Sequence, residues 1–393
     1  MDFELSEQHK MLKQTVLDFT AKEITPIAHD LDKSAEFPRD SVDKMADLGL
    51  FGLLTPPAYD GSGFDRIGSI IAVEELAVAS AGVVAPLASN YTVTAAILAM
   101  GNEEQKSKYL PHLAKGKQLG AIATTEPGGG ANSTFTMQST ARLENDFYVL
   151  NGTKCFISSG GEAEINIVLA RTDSDKNPKG ISGLIVEKGT PGFSFGKKDD
   201  KLGLRNNITR ELIFEDCRVP KANLLADSIL GPMATPLAMI GMPLFGAMAV
   251  GVARAALEAA TEYVKQRTVA FGQTLANFDG VQCMIADMVT MVEASRLLVY
   301  QAGSTPDNKP DIPRGFMASI FPCEAAQKVT TQALQIFGGY GYTTDIPLER
   351  YFRDARGLML IGQSMDVRKL IMARLKLGLS PSVQPGGMST KLP

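Results

Sequence analysis

The residues of this chain best suited to ligand chemistry are the glycines of Thr125-Glu126-Pro127-Gly128-Gly129-Gly130, which follow a strand-like segment. Glycines leave backbone N–H groups open to an anion or a flat ligand, but they also serve as plain turns. The stretch alone does not separate the two. Other familiar chemistries lack partners. His9, His29 and His112 stand apart, so neither a histidine-based triad nor a zinc site is expected. Cys155, Cys217, Cys283 and Cys323 match no metal-ligand spacing. Cys217 and Cys283 lie in apolar or strand-like contexts and read as buried free thiols.

The elements that must position such groups change character twice along the chain. Residues 1–119 read as a helical domain: Leu12, Val16, Phe19 and Ile24 recur at near-helical spacing, and residues 41–50 resemble a short capped helix. A breaker-rich stretch, Thr55-Pro56-Pro57 through Gly61-Ser62-Gly63, precedes a helix over 67–79. Asn102-Glu103-Glu104 opens another, with acidic residues favourable to its dipole. Residues 120–230 carry short β-rich runs at 121–124, 147–150, 165–170, 181–186 and 212–214, as in an antiparallel barrel or sandwich. Asn151-Gly152 reads as a hairpin turn. Residues 231–381 return to long helices over 247–264, 281–302, 317–336 and 366–377, with 350–356 in a connection. Residues 382–393 read as a flexible tail. Segregated helix and sheet define an α+β fold.

Composition narrows the function. The 393 residues suffice for two or three domains, and 39 basic against 43 acidic residues give a net charge of −4. That balance offers no electrostatic case for nucleic acid. The cluster Lys197, Lys198, Asp199, Asp200 and Lys201 reads as a mixed, solvated turn. The acidic start, Met1-Asp2-Phe3-Glu4, is unlike a signal peptide, and no uninterrupted apolar run reaches membrane-spanning length. Residues 237–256 come nearest, but their glycines, Pro243 and Arg254 point to a buried helix. A cytoplasmic location is the expectation.

The glycine run belongs to an ordered series. Thr125-Glu126-Pro127-Gly128 is followed by Asn151-Gly152-Thr153-Lys154-Cys155-Phe156-Ile157, Lys201-Leu202-Gly203 and Phe214-Glu215-Asp216 with Val219-Pro220. Arg267 with Phe271-Gly272, Gln335-Ile336-Phe337-Gly338-Gly339 and Arg353-Asp354-Ala355 complete it. The series closely resembles the acyl-CoA dehydrogenase family over residues 1–377. The resemblance implies a helical N-terminal domain, a β middle domain and a C-terminal four-helix bundle. It implies a homotetramer, a dimer of dimers, with FAD between sheet and bundle. It also implies an acyl-CoA substrate and an electron-transferring flavoprotein as partner.

By resemblance, Ile122, Thr124 and Thr125 approach the isoalloxazine ring, with Phe156 and Ser158 on its other side and Gly130 and Ala131 in the cofactor loop. Ser158 keeps a hydroxyl where the family commonly has threonine, and Phe156 keeps an aromatic wall in place of tryptophan. Arg267 and Phe271 resemble the pair reaching a neighbouring subunit's FAD, and the arginine's fixed charge suits pyrophosphate. One residue is inserted between them. Gln335, Gly338 and Gly339 resemble the segment holding the adenosine end, and Ser364 and Asp366 align with residues that touch FAD.

In the family reaction a carboxylate takes the α-proton of an acyl thioester while the β-hydrogen leaves as hydride. That carboxylate commonly lies in an I-Y-E-G-T sequence after R-D-A, where this chain has Leu360-Ile361-Gly362-Gln363-Ser364. A second family position falls at Gly241. Glycine stands at both, and Gly362 keeps a backbone N–H for the thioester oxygen. Asn90, Ala131, Met239, Met242 and Gln363 fall at substrate positions. Ala131-Asn132 replaces Ser-Asp, and Met239-Ile240-Gly241-Met242 replaces an Asp-x-x-Arg pattern. Sulfinopropionyl-CoA desulfinases share the glycine but use an arginine where this chain has Val84, which disfavours that activity. Cyclohexene carboxyl-CoA dehydrogenases use an aspartate near residue 91. Tyr91 here is the candidate acid/base or a wall of the acyl pocket, with Thr92 and Thr94 nearby. The expected function is an FAD-dependent oxidoreductase acting on the CH–CH group of an acyl-CoA, cyclic or conjugated, through an unusual proton-transfer group. Elimination, oxygenation or binding without catalysis are the alternatives.

Overall fold

A computed structural model describes residues 4–129, 136–173, 180–269, 272–306 and 308–379. Gly130, Ala131, Asn132, Phe271, the extreme N-terminus and the C-terminal tail lie outside those residues.

Six helices come first: α1 (Glu7–Phe19), α2 (Ala28–Ser34), α3 (Arg39–Asp47), α4 (Arg66–Ala77), α5 (Ala81–Met100) and α6 (Glu103–Ala114). Local chemistry sets several starts. Asp65 accepts from the Gly68 N–H ahead of α4, and Ser80 accepts from Val83 ahead of α5. Asn102 and Gln105 form a reciprocal capping box on α6. Helix α3 begins at Arg39, earlier than its expected start, and without a side-chain cap. Helix α5 is apolar on almost every side, so it is buried along most of its length.

The sheet follows: β1 (Gly120–Ala123), β2 (Thr140–Glu144), β3 (Phe147–Ser158), β4 (Ile165–Arg171), β5 (Ile181–Glu187), β6 (Phe193–Lys198), β7 (Thr209–Pro220) and β8 (Leu224–Ala226). The order is β6-β7-β3-β2-β4-β5-β8, with β1 also on β4. Contrary to a purely antiparallel arrangement, β1 pairs with β4 in parallel, as does Thr140, the first residue of β2. The expected hairpin at Asn151-Gly152 is also corrected. Strand β3 runs straight through it, and the turn lies at Asn145-Asp146, with Asn145 at φ +54°. Asn151 instead exchanges hydrogen bonds with Asp216 on β7 (3.1 and 2.8 Å). Gly152 passes so close to Ser139 that a Cβ would lie 2.3 Å from its hydroxyl.

The C-terminal part contains α7 (Leu230–Pro236), a π-helical turn (Leu237–Gly241), α8 (Met242–Gln266), α9 (Asp279–Gly303), α10 (Ile312–Phe337), α11 (Leu348–Leu358) and α12 (Met365–Lys376). The expected connection at 350–356 is the helix α11. Cys283 is exposed, not buried. Two helical stretches, Ala81–Met100 and Leu230–Gln266, do have the length and apolarity to cross a membrane, but both lie largely inside the fold. Arg254 on α8 pairs there with Glu74 and Glu75 of α4, and Arg296 of α9 reaches Glu74 at 3.0 Å. Helix α4 is thereby tied to the bundle by buried charge.

Candidate functional site

On the sheet side, β1 ends where Thr124 and Thr125 leave it. The Cys155 N–H of β3 donates to the Thr125 carbonyl (2.9 Å), so this turn lies against Lys154-Cys155. Beneath it, Lys154 and Glu126 form a fully enclosed ion pair at 2.7 Å. Glu126 also accepts the N–H groups of Gln138 (2.6 Å) and Ser139 (2.9 Å), joining the far end of the glycine loop to its start. Burial pushes the Glu126 carboxyl upward, but the Lys154 charge and these N–H donors hold it below its ordinary value. Two residues on, the β3–β7 register slips and Phe156 adopts φ +57°. That bulge turns the ring outward until it is 66% exposed, large for an aromatic side chain. Ser158 ends the strand, its hydroxyl accepting from the Asn207 amide at 3.1 Å. Ile122 is half-buried on β1.

On the bundle side, the two glycines at the expected carboxylate positions meet one helix wall. A Cβ on Gly241 would lie 3.4 Å from a methyl of Thr92. Four residues along, Phe245 faces Gly362, whose φ is +74° and whose added Cβ would lie 2.7 Å from the Phe245 ring. The two positions thus lie along one helical run, Gly241 directed at Leu237 and at Thr92 of α5 and Gly362 set against Phe245. Gly362 is exposed, and no acceptor meets its N–H among the described residues. Gln363 has a buried Oε1 without a donor. Ser364 caps α12 by accepting from Val367 N–H, and Asp366 lies exposed in its first turn, where negative charge suits the helix dipole.

The acid/base reading of Tyr91 is corrected here, and three other sequence-derived residues lie inside the fold. Tyr91 is completely buried, and its hydroxyl donates to the Leu50 carbonyl. Burial pushes its pKa well above the ordinary phenol value, the opposite of what a base needs. Asn90 does not face a substrate either: its amide donates to Leu113 O and accepts from Gly120 N–H, both at 3.1 Å, fastening α5 to β1. Met242 is fully buried and its sulfur accepts from Ser319. Met239 is buried beside it.

A third region lies at the bundle's end. Arg267, Gly338 and Gly339, far apart in sequence, line a cleft of about 510 Å³ with Tyr263, Phe337 and Tyr340. Tyr263 and Phe337 stack at 3.9 Å as one wall. The Arg267 guanidinium sits 5.6 Å over the Tyr340 ring and makes no ion pair among the described residues. Gly338 has φ +59°, and a Cβ there or on Gly339 would meet nothing within 4 Å, so backbone is open to a ligand. Gln335 is exposed on the last turn of α10 but does not line the cleft. A flat aromatic wall, the Arg267 cation and bare glycine backbone fit an adenine dinucleotide's stacking and phosphate needs. The projecting Phe156 and the polar Thr124-Thr125 turn likewise fit a flavin ring.

Sequence reasoning missed three participants: Arg368, Phe245 and the Glu126–Lys154 pair. Arg368 was detectable in principle, because it shares the inward face of α12 with Met365 three residues earlier.

Helical domains flanking a mixed sheet, an exposed aromatic ring beside a polar turn and an open glycine turn beside Arg267 are features that suit a flavoprotein oxidoreductase. The acyl-CoA dehydrogenase N-terminal, middle and C-terminal domain families match residues 6–117, 121–217 and 239–377. The acryloyl-CoA reductase (NADH) of Anaerotignum propionicum is 42% identical over 95% of both chains. Among solved structures, butyryl-CoA dehydrogenase of Megasphaera elsdenii superposes with a TM-score of 0.93 and 37% identity, over 96% of this chain and 100% of that one. A chain from the work on the electron transferring flavoprotein of Acidaminococcus fermentans gives 0.93 and 41%, with the same coverage. The chain belongs to the acyl-CoA dehydrogenase family. It is an oxidoreductase of acyl-CoA with FAD as cofactor.

Proposed function

We propose that this protein interconverts the saturated and α,β-unsaturated forms of an acyl-CoA without a side-chain carboxylate as proton carrier, and that it works best on acyl groups whose unsaturation is conjugated or held in a ring. The supporting observation is the Gly362 turn, where positive φ would strain any side chain and an added Cβ would press on the Phe245 ring. Bound FAD supplies the two-electron, hydride-accepting and hydride-donating chemistry. Thr124, Thr125, Phe156 and Ser158 would hold its ring end, and Arg267, Gly338 and Gly339 its adenosine end. The exposed Gly362 N–H would donate to the thioester oxygen, where negative charge develops.

Proton chemistry limits which acyl groups can react. Neutral water is too weak a base to take an α-proton from a simple thioester, yet a thioester enolate readily takes a proton from water. With glycine at both expected carboxylate positions, the accessible reactions are reduction of an unsaturated acyl group driven by an electron donor, with water as proton source, and oxidation where conjugation acidifies the α-proton. The relative named as an acryloyl-CoA reductase is consistent with that direction. An electron-transferring flavoprotein as electron partner, assembly as a homotetramer and a cytoplasmic location belong to the same proposal.

Anaerobic mixing of the holoprotein with a panel of acyl-CoAs tests it. Unsaturated and conjugated acyl-CoAs should reoxidise the reduced flavin faster than simple saturated ones bleach the oxidised form. The reading fails if no acyl-CoA alters the flavin spectrum, or if product forms with no net redox change.

A further inference from the structure

Arg368 is the largest side chain that is fully enclosed in the fold. Its guanidinium donates through Nε to the Gln363 carbonyl (2.9 Å), through Nη2 to the Ile361 carbonyl and through Nη1 to the Cys323 sulfur (3.8 Å). It also lies 5.7 Å from the centre of the Phe245 ring, which packs against Gly362. No carboxylate faces it from α8, α10 or the 360–364 turn among the described residues. Cys323 is its one titratable neighbour there, and that thiol is pushed up by burial. Lys369 and Glu324 pair with each other at the surface instead. A guanidinium cannot escape burial by losing its proton, so an enclosed and unpaired one is costly to keep. Three backbone or sulfur acceptors satisfy its hydrogen bonds but leave its charge.

The direction of those bonds gives the charge a use. In a trans peptide the C=O and the following N–H point opposite ways. The Ile361 carbonyl also accepts from the Gln363 N–H (3.0 Å), so the turn and Arg368 together hold it inward and point the N–H of the exposed Gly362 the other way, where it meets no acceptor among the described residues. The same charge polarises that peptide, strengthening the N–H as a donor to an oxyanion. We propose that Arg368 is a positioning residue: it aims the Gly362 N–H at the thioester oxygen and, through its unpaired charge, makes the α-proton of the bound acyl group acidic. The pocket would then stabilise the enolate, lessening the need for a strong base. This rests on the acyl-CoA reading above.

Acetoacetyl-CoA is a suitable probe, because loss of its α-proton to solvent gives an enolate seen by ultraviolet absorbance without any redox step. With wild-type holoprotein, the bound probe should ionise at lower pH than the free compound. Arg368→Met should raise that apparent pKa by about one unit, a tenfold loss of enolate stabilisation, while Arg368→Lys retains part of the effect. The Met variant should keep its FAD, its stability set by the relief of a buried unpaired charge against the loss of donors to the Ile361 and Gln363 carbonyls. A flavin-loaded Arg368→Met protein whose bound probe ionises as in wild type overturns the proposal. If that variant does not fold, Arg368→Gln carries the same comparison. Failure of the acyl-CoA reading looks different: wild type would then neither bind the probe nor change its flavin spectrum with any acyl-CoA.

Discussion

Gly362 and Tyr91 show how a residue's setting decides its chemistry. Gly362 holds φ +74° beside the Phe245 ring, so Gly362→Ala should cost about 1–2 kcal/mol from backbone strain alone, and more from the ring contact. Denaturant unfolding would measure it, and combining it with Phe245→Leu should recover the contact part only. Tyr91→Phe should leave turnover unchanged but lower stability by roughly 1–3 kcal/mol, because the Leu50 carbonyl loses its buried donor. A drop in turnover at unchanged stability would restore an acid/base role. Asp354 supplies a pH prediction. Burial raises its pKa from 3.8 to about 6, against the opposing pull of the Leu204 N–H at 2.6 Å. A raised carboxyl binds protons more readily folded than unfolded, so its penalty is complete above about pH 6 and fades as pH falls toward 3.8. The size is of order 1–3 kcal/mol. Asp354→Asn should flatten this part of the melting-temperature profile over that window.

At the scale of elements, what was legible followed from chemistry local to a few residues. Asn102 with the acidic residues after it announced α6, and the β-rich runs at 165–170 and 181–186 became neighbouring antiparallel strands. The hairpin at Asn151-Gly152 failed because turn residues also serve bulges, and here Gly152 is needed for its approach to Ser139. Helix α11 was passed over because its charged residues, Arg350, Arg353 and Asp354, read as surface connection. In the fold they pair inward with Ala79 O, Asp32 and Leu204 N–H. The Glu126–Lys154 pair, separated by 28 positions, was equally hidden. It fastens the glycine loop to β3. Glu126→Gln would leave the lysine uncompensated, and a cost of about 3–5 kcal/mol is expected. Weaker FAD retention should accompany it, read by equilibrium dialysis of the cofactor.

At the scale of the whole molecule, the three-part order of helix, sheet and helix was readable because apolar periodicity changes at the joins. Which residues meet across those joins was not. Arg267 and Gly338 share a cleft although 71 positions separate them, and only their place in a family series linked them beforehand. The Tyr91 assignment failed for the same reason: depth within the helical layer depends on α5 being enclosed on all sides. Phe245, Gly362 and Arg368 come together only when α8, the 360–364 turn and α12 have packed. The central claim is that this assembly handles an acyl-CoA without a carboxylate proton carrier. Its most direct test is the stopped-flow rate at which crotonyl-CoA reoxidises the photoreduced holoprotein, followed from about pH 4 to 8, a window that takes in both an ordinary carboxylate and one raised by burial. The account predicts reoxidation with solvent deuterium appearing at the α-carbon and no ionisation of carboxylate type in the rate. A rate governed by one such ionisation, or no reoxidation at any pH, would contradict it.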